Sequence, residues 1–266
     1  MSQSTIESPQ KLRVGSWNIN SIRARHDRVT NAILNHDLDV LALQEIKAKP
    51  EQVPDFPELR EAGYEWHYVG YNQWNGVALF SRVGLDNIRE SFPNQPGFAK
   101  DAEAPQPVEA RALGATCGGV DMWSVYVPNG RALTDRHYTY KLEWLDKLHD
   151  YVAATEGPMI IMGDYNVAPR EQDVWETYAG ETHISAPERA AFHKLLDAGL
   201  TDAAAPFYDG YTYWDYMAAR FRRDHGMRID FQLTRELTAT NAFIDREERA
   251  TKGTSDHALL VVEYEC

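Results

Sequence analysis

Apolar residues in this chain come in short runs that read as strands, broken by a few longer stretches of helical period. The strand-like runs are Leu12–Ile19, Val40–Gln44, His67–Tyr71, Gly76–Ser81, Ala110–Cys117, Met122–Val127, Met159–Gly163, Arg228–Thr234 and His257–Tyr264. Each is rich in Val, Ile, Leu, Tyr or Trp, which suit a pleated, half-buried surface, and each is bounded by Gly, Pro, Asn or Asp. Between them, Arg25–Asn35 brings Val29, Ile33 and Leu34 to one helical face. Thr139–Ala154 repeats Leu142, Leu145, Leu148 and Val152, and Pro187–Ala198 turns Phe192, Leu195 and Leu196 inward before a stop at Gly199. The proline-rich segment Phe92–Gln106 predicts a surface loop. There is no fixed-period repeat and no linker-like stretch, so the pattern predicts one α/β domain over 11–266, two packed sheets covered by helices, after a polar mobile tail over 1–10.

The polar residues that interrupt this pattern sit where strands end. Asn18 and Asn20 close the first strand, Glu45 follows the second, and Tyr126 with Asn129 ends a third. Asp164 and Asn166 end a fourth, Asp230 lies within another, and Asp256 with His257 opens the last. Six strands delivering carboxylates, amides, a phenol and an imidazole predict a convergent rim. Glu45, Asp164 and Asp256 are hard oxygen donors, which the amides of Asn18, Asn20 and Asn166 can join. Without cysteines beside them, they favour Mg²⁺ or Mn²⁺ over Zn²⁺. Asp230 and His257 read as a carboxylate–imidazole pair whose cationic ring can face a phosphate oxygen. Such a set suits metal-assisted hydrolysis of a phosphoester. The remaining histidines show no ligand spacing and read as surface or core, and Trp17, Trp66, Trp123 and Trp144 read as packing.

Charge limits how a phosphate-bearing partner would be held. The chain has 27 Lys and Arg against 40 Asp and Glu, a net −13, so as a whole it repels phosphate and cannot bind DNA through bulk charge. Nucleic-acid contact must come from local clusters. Candidates are Arg23, Arg25 and Arg28 after the Asn18–Asn20 motif, Arg131 near Lys141, and Arg220, Arg222, Arg223 and Arg228 before Asp230. With 43% hydrophobic residues the composition is that of a folded domain, not of an acidic disordered chain. Two cysteines, Cys117 and Cys266, no apolar run of bilayer length and a polar N-terminus without a signal-peptide core together predict a cytoplasmic protein.

Taken in order, the segments SWNINSIRA, LALQEIKA, NGVALFSR, VYVPNG, GDYNVAP, PERAAF, YTYWDY, GMRIDFQL and TSDHALL resemble those of exonuclease III-type apurinic/apyrimidinic endonucleases. These belong to the endonuclease/exonuclease/phosphatase superfamily, and the match runs from about Leu12 to Tyr264. The resemblance implies a four-layer α/β-sandwich, two mixed, mostly antiparallel sheets face to face between helices. It also implies a monomeric, Mg²⁺-dependent nuclease that cuts duplex DNA 5′ to abasic sites and removes nucleotides or blocks from damaged 3′ ends.

By resemblance, Glu45 is the central metal ligand, supported by Asn18 and Asn20 and approached by Asp256, with Asp164 and Asn166 beside it. Asp164 orients or deprotonates the attacking water. Asn166, Tyr126 and His257, backed by Asp230, hold the scissile phosphate. Arg23, Asn129, Arg131, Arg222 and Arg228 are the expected DNA contacts. Within Tyr211–Asp230, the residues Tyr213, Trp214, Met217, Met227 and Ile229 are the expected lesion reader. Met227 stands where some members carry a larger Trp, which implies a looser pocket. Two alternatives remain in view: a superfamily phosphoesterase with another substrate, and a non-catalytic nucleic-acid-binding regulator of the same fold. The complete acid–amide–imidazole set speaks against the second.

Overall fold

The structure, a computed structural model, describes residues 11–265; the proposed tail over 1–10 and Cys266 lie outside them. In chain order the strands are β1 (Lys11–Asn18), β2 (Val40–Gln44), β3 (Glu65–Val69), β4 (Val77–Ser81), β5 (Asp86–Arg89) and β6 (Ala112–Cys117). They continue with β7 (Val120–Tyr126), β8 (Met159–Asp164), β9 (Thr201–Asp202), β10 (Asp230–Arg235), β11 (Thr238–Ile244) and β12 (Leu260–Glu265). The helices are α1 (Ile22–Asn35), α2 (Pro57–Glu61), α3 (Arg136–Ala154), α4 (Ala186–Asp197), α5 (Arg220–Arg223) and α6 (Arg246–Ala250). Two six-stranded sheets result, ordered β11-β12-β1-β2-β4-β3 and β5-β6-β7-β8-β10-β9.

Period-two alternation explains the layers. In β2, Val40 and Ala42 face inward with Leu12, Val14 and Leu79 of the same sheet, packing in one core with Leu113, Met122, Ile160 and Met162 of the other. Leu41 and Leu43 face outward, under Ile22, Val29 and Ile33 of α1. On the far side, Trp144, Leu145, Leu148 and Val152 of α3 and Phe192 and Leu195 of α4 cover Trp123, Val125, Ile161 and Phe231. Helix, sheet, sheet and helix make the four-layer α/β-sandwich. Leu34, expected on the buried face of α1, is instead 45% exposed, because it lies past the edge of the sheet-facing stripe.

Directional bonds fix how one apolar sheet lies on the other. Gln232 Nε2 of the second sheet donates to the Val14 carbonyl of the first at 2.9 Å. Ser124 Oγ donates to the Leu43 carbonyl at 2.9 Å, and Gln44 Nε2 returns a bond to Ser124 Oγ at 3.1 Å. Each contributes only about 1 kcal/mol net, but apolar packing alone would leave the sheets free to slide.

Each sheet has one parallel pair at its centre, β1–β2 and β7–β8, flanked by antiparallel neighbours. The parallel strands therefore deliver their C-terminal residues to one end of the stack. Asn18 pairs in register with Gln44, and Tyr126 with Asp164. β10 runs antiparallel to β8, so its first residue, Asp230, lies opposite Asp164 at that same end. β12 runs antiparallel to β1, which brings the Asp256–His257 segment just before it to the same rim. The rim is therefore a property of strand direction.

Gly163 permits the close approach of β8 to β7 at this rim. Its φ is +153°, and a Cβ placed there would lie 1.9 Å from the Val125 carbonyl oxygen. Gly163→Ala should therefore lower unfolding stability by about 2–4 kcal/mol. Denaturant titration checks this, and a loss below about 1 kcal/mol would show that the strand pair can spread.

Candidate active site

The expected rim residues meet. Asn18 Nδ2, on the first sheet, donates to Glu45 Oε1 at 2.9 Å and to Asp164 Oδ2, on the second sheet, at 3.0 Å. This one amide joins the two halves of the site. Lys47 Nζ sits between Glu45 Oε2 at 2.6 Å and Asn20 Oδ1 at 2.7 Å, and Asn20 Nδ2 reaches Asp256 Oδ1 at 3.0 Å. Ser255 Oγ ties the Asn18 carbonyl to the segment that carries Asp256 and His257. Glu45, Lys47, Asn20 and Asn166 have φ values of 52°, 50°, 46° and 51°. Left-handed backbone at Glu45 and Lys47 costs energy that ordinary turns avoid, and such strain concentrates at sites.

His257 forms the other half. Its Nδ1 lies 2.9 and 3.0 Å from the two Asp230 oxygens, and its Nε2 lies 3.8 Å from Asp164 Oδ2. Thr212 Oγ1 donates to Asp230 Oδ2 at 2.6 Å, and Tyr213 covers the imidazole at 4.8 Å between ring centroids. Burial by itself lowers the His257 pKa, but the charges of Asp230 and then Asp164 outweigh it and hold the ring at about 10. Burial raises the Asp164 pKa to about 7, opposed by His257 and aided by Asp230 and Glu45. For Glu45, burial works upward, but Lys47 prevails and keeps the carboxyl below its ordinary range. Burial and then Glu45 push Tyr126 well above the ordinary phenol, so it remains a donor. Asn166 receives Asn129 Nδ2 on its Oδ1 at 3.0 Å and donates Nδ2 to the Val127 carbonyl at 3.1 Å, while its own amide N–H caps Asp164 Oδ1 at 2.9 Å.

Two places could take a cation. Asp164, Asp230 and His257 set ligand atoms within 4.8 Å of one another, the only such acid–imidazole cluster among the described residues. Its ring, held protonated by Asp230 and Asp164, would have to release that proton to bind a metal. The Glu45–Asn20–Asp256 cradle is built from oxygen donors and already accommodates the Lys47 ammonium between Glu45 and Asn20. This donor set fits a hard divalent ion.

Several expected DNA contacts fall elsewhere. Arg228 is buried, paired with Asp202 at 2.6 Å and stacked 4.6 Å from the Phe231 ring centroid, so it holds strands together and cannot reach a backbone. Trp214 is fully buried in the inter-sheet core and donates Nε1 to Asp224 Oδ1, so it packs and does not read a lesion. Arg25 ties the Ile19, Asn20, Gly253 and Thr254 carbonyls, and Arg28 pairs with Glu248, so both brace loops. Met227 and Ile229 form a small apolar cluster with Ala168 and the half-buried Tyr213. Arg23, Asn129, Arg131 and Arg222 are exposed, and Met217 is 73% exposed. Lys141, named beside Arg131 as a nucleic-acid contact, is instead fully buried against Glu188 and cannot reach a backbone, and Lys47, Thr212, Ser255 and His183 were missed. Only Lys47 carried a signal, a cation two residues from a strand-end glutamate.

Fold and rim together define a four-layer α/β-sandwich enzyme with an acid–amide–imidazole centre. The chain belongs to the Endonuclease/Exonuclease/phosphatase family, whose sequence profile matches residues 15–257. It is similar to exodeoxyribonuclease III of Haemophilus influenzae, 28% identical over 273 residues that cover 94% of this chain and 98% of that protein. A Neisseria 3′ phosphatase, solved bound to a product DNA hairpin, superposes with a TM-score of 0.86 at 31% identity, covering 96% of this chain and 100% of that one. An AP endonuclease from Archaeoglobus fulgidus gives 0.83 at 29%, covering 94% and 98%. The likeness to exonuclease III-type enzymes seen in the motifs therefore extends to the whole fold. No helix of the described residues is long and apolar enough to cross a membrane.

The imidazole pair yields a direct test. Deleting the Asp230 charge removes the largest influence that raises the His257 pKa and leaves burial, which lowers it. ¹⁵N NMR should show a cationic ring at pH 8 in the wild type and a ring of clearly lower pKa in Asp230→Asn, where Asp164 and Asp256 alone oppose burial. A ring neutral at pH 8 in both proteins would contradict the pairing.

Proposed function

We propose that this chain hydrolyses DNA phosphodiesters in repair, cutting 5′ to abasic sites and clearing nucleotides or blocks from 3′ ends, as a cytoplasmic, Mg²⁺-dependent monomer. The observation that carries this reading is the Asn18 amide, which holds Glu45 and Asp164 together across the two sheets beside the His257–Asp230 pair. An exodeoxyribonuclease III, an AP endonuclease and a DNA-bound 3′ phosphatase among the similar proteins support DNA as the substrate.

In this reading Asp164 takes the proton of the attacking water. Its raised pKa suits that task, because a base is most effective near the working pH. The His257 imidazolium, the Tyr126 phenol and the Asn166 amide hold the phosphoryl oxygens and stabilise the charge that builds there. Asp230 keeps the ring charged and oriented. When bound by Glu45, with Asn18, Asn20 and Asp256 around it, Mg²⁺ supplies charge neutralisation at the phosphate and the departing oxygen, and Mn²⁺ can substitute. Exposed Arg23, Arg131 and Arg222 contact the backbone. Exposed Met217 and half-buried Tyr213, with buried Met227 and Ile229 packed behind Tyr213, meet the nucleotide beside the cut, where a sugar without a base fits an apolar site.

Cleavage of a labelled duplex with one abasic analogue, alongside one with a blocked 3′ end, tests the reading. Asp164→Asn should lower kcat about 10²–10⁴-fold on both. Glu45→Gln should require far more Mg²⁺, and EDTA should abolish cutting. Full activity of Asp164→Asn, an unchanged Mg²⁺ titration for Glu45→Gln, or incision in EDTA would each contradict the assignment.

A further inference from the structure

Beneath the phosphate-facing amides lies an ion pair that the reaction above does not use. Lys141 on α3 and Glu188 in the first turn of α4 are both fully buried and bonded to each other. Lys141 Nζ also donates to the Asn166 carbonyl at 2.6 Å and to the Asn129 carbonyl at 3.3 Å. An ammonium has three hydrogens, and here all three are assigned to acceptors from three separate segments. Glu188 accepts from the His183 amide at 3.0 Å and from the Ser185 amide and hydroxyl at 3.1 and 2.6 Å. His183 Nδ1, in turn, lies 2.6 Å from the same Asn166 carbonyl.

A buried ion pair is weak evidence for stability, since neutral side chains of equal volume often serve as well. Its aim is more informative. Asn166 has a left-handed backbone, and its side chain already serves Val127 and Asn129, leaving one Nδ2 hydrogen for an outside acceptor. The orientation of that hydrogen depends on where the Asn166 carbonyl is held. We propose that Lys141 is a positioning residue: neutralised by Glu188, its ammonium clamps the Asn129 and Asn166 loops so that the Asn166 amide, braced by Asn129, meets the scissile phosphate. This rests on the DNA-hydrolysis reading above.

The test compares single-turnover cleavage, DNA affinity and thermal melting. In the double variant Lys141→Met with Glu188→Gln, no buried charge is orphaned. It should cleave about 10²-fold more slowly, the scale of a roughly 1 Å misplacement, with DNA affinity and melting retained. In an Asn166→Ala background the same pair of changes should cost nothing further, because the clamp acts through Asn166. A wild-type rate in the double variant, or a loss that multiplies with that of Asn166→Ala, would overturn the proposal. Should the double variant melt below assay temperature, Lys141→Arg decides. With its cation and donors kept, it should cleave within about tenfold of wild type, and a folded Lys141→Arg as slow as Asn166→Ala would overturn the proposal equally. A wild type inactive on DNA would instead sink the hydrolysis reading, whereas these ratios judge Lys141 alone.

Discussion

Like charges crowded into one buried rim are the constraint on which this structure turns. Asp164 and Asp230 are 1% exposed, yet Glu45 and Asp256 lie on the same rim. Two unit charges about 4 Å apart repel by roughly 4 kcal/mol at the effective dielectric of a protein, comparable to much of a domain's net stability. The rim exists because opposite charges and amides are interleaved with the acids. His257 lies between Asp230 and Asp164, Lys47 beside Glu45, Asn18 between Glu45 and Asp164, and Asn20 against Asp256. The same compensation leaves Asp164 poised near pH 7 and His257 charged.

The fold supplies that arrangement through strand direction. Two parallel pairs point their ends the same way, and antiparallel β10 and β12 bring their starts to meet them. Cross-sheet bonds from Gln232 and Ser124 prevent the slip that would part Asn18 from Asp164. Behind the rim, Lys141 carries the rigidity of α3 into the loops of Asn129 and Asn166.

The central strands and the rim were legible in the sequence because both leave local marks, an apolar run followed by a polar residue at its end. The edges were not. β5, β9 and β11 are edge strands with exposed or half-exposed residues, so their apolar signal is weak, and β3, the fourth edge, lies two residues earlier than its apolar run suggests. Arg228 and Trp214 were misplaced for a related reason. A cluster of arginines looks the same in sequence whether it faces solvent, like Arg222, or pairs internally, like Arg228 with Asp202. Lys141 and Glu188 lie 47 residues apart, and nothing local joins them; only the packing of α3 against α4 does.

An acidic chain that acts on a polyanion needs positive charge at the reacting phosphate, and the oxygen cradle of Glu45, Asn20 and Asp256 is the place for it. Anomalous diffraction from crystals soaked in Mn²⁺ tests that most directly. A peak is expected bonded to the Glu45 carboxylate on its Asn20 side, with the Lys47 ammonium moved off. A peak enclosed by Asp164, Asp230 and His257, or none at Glu45, would contradict it.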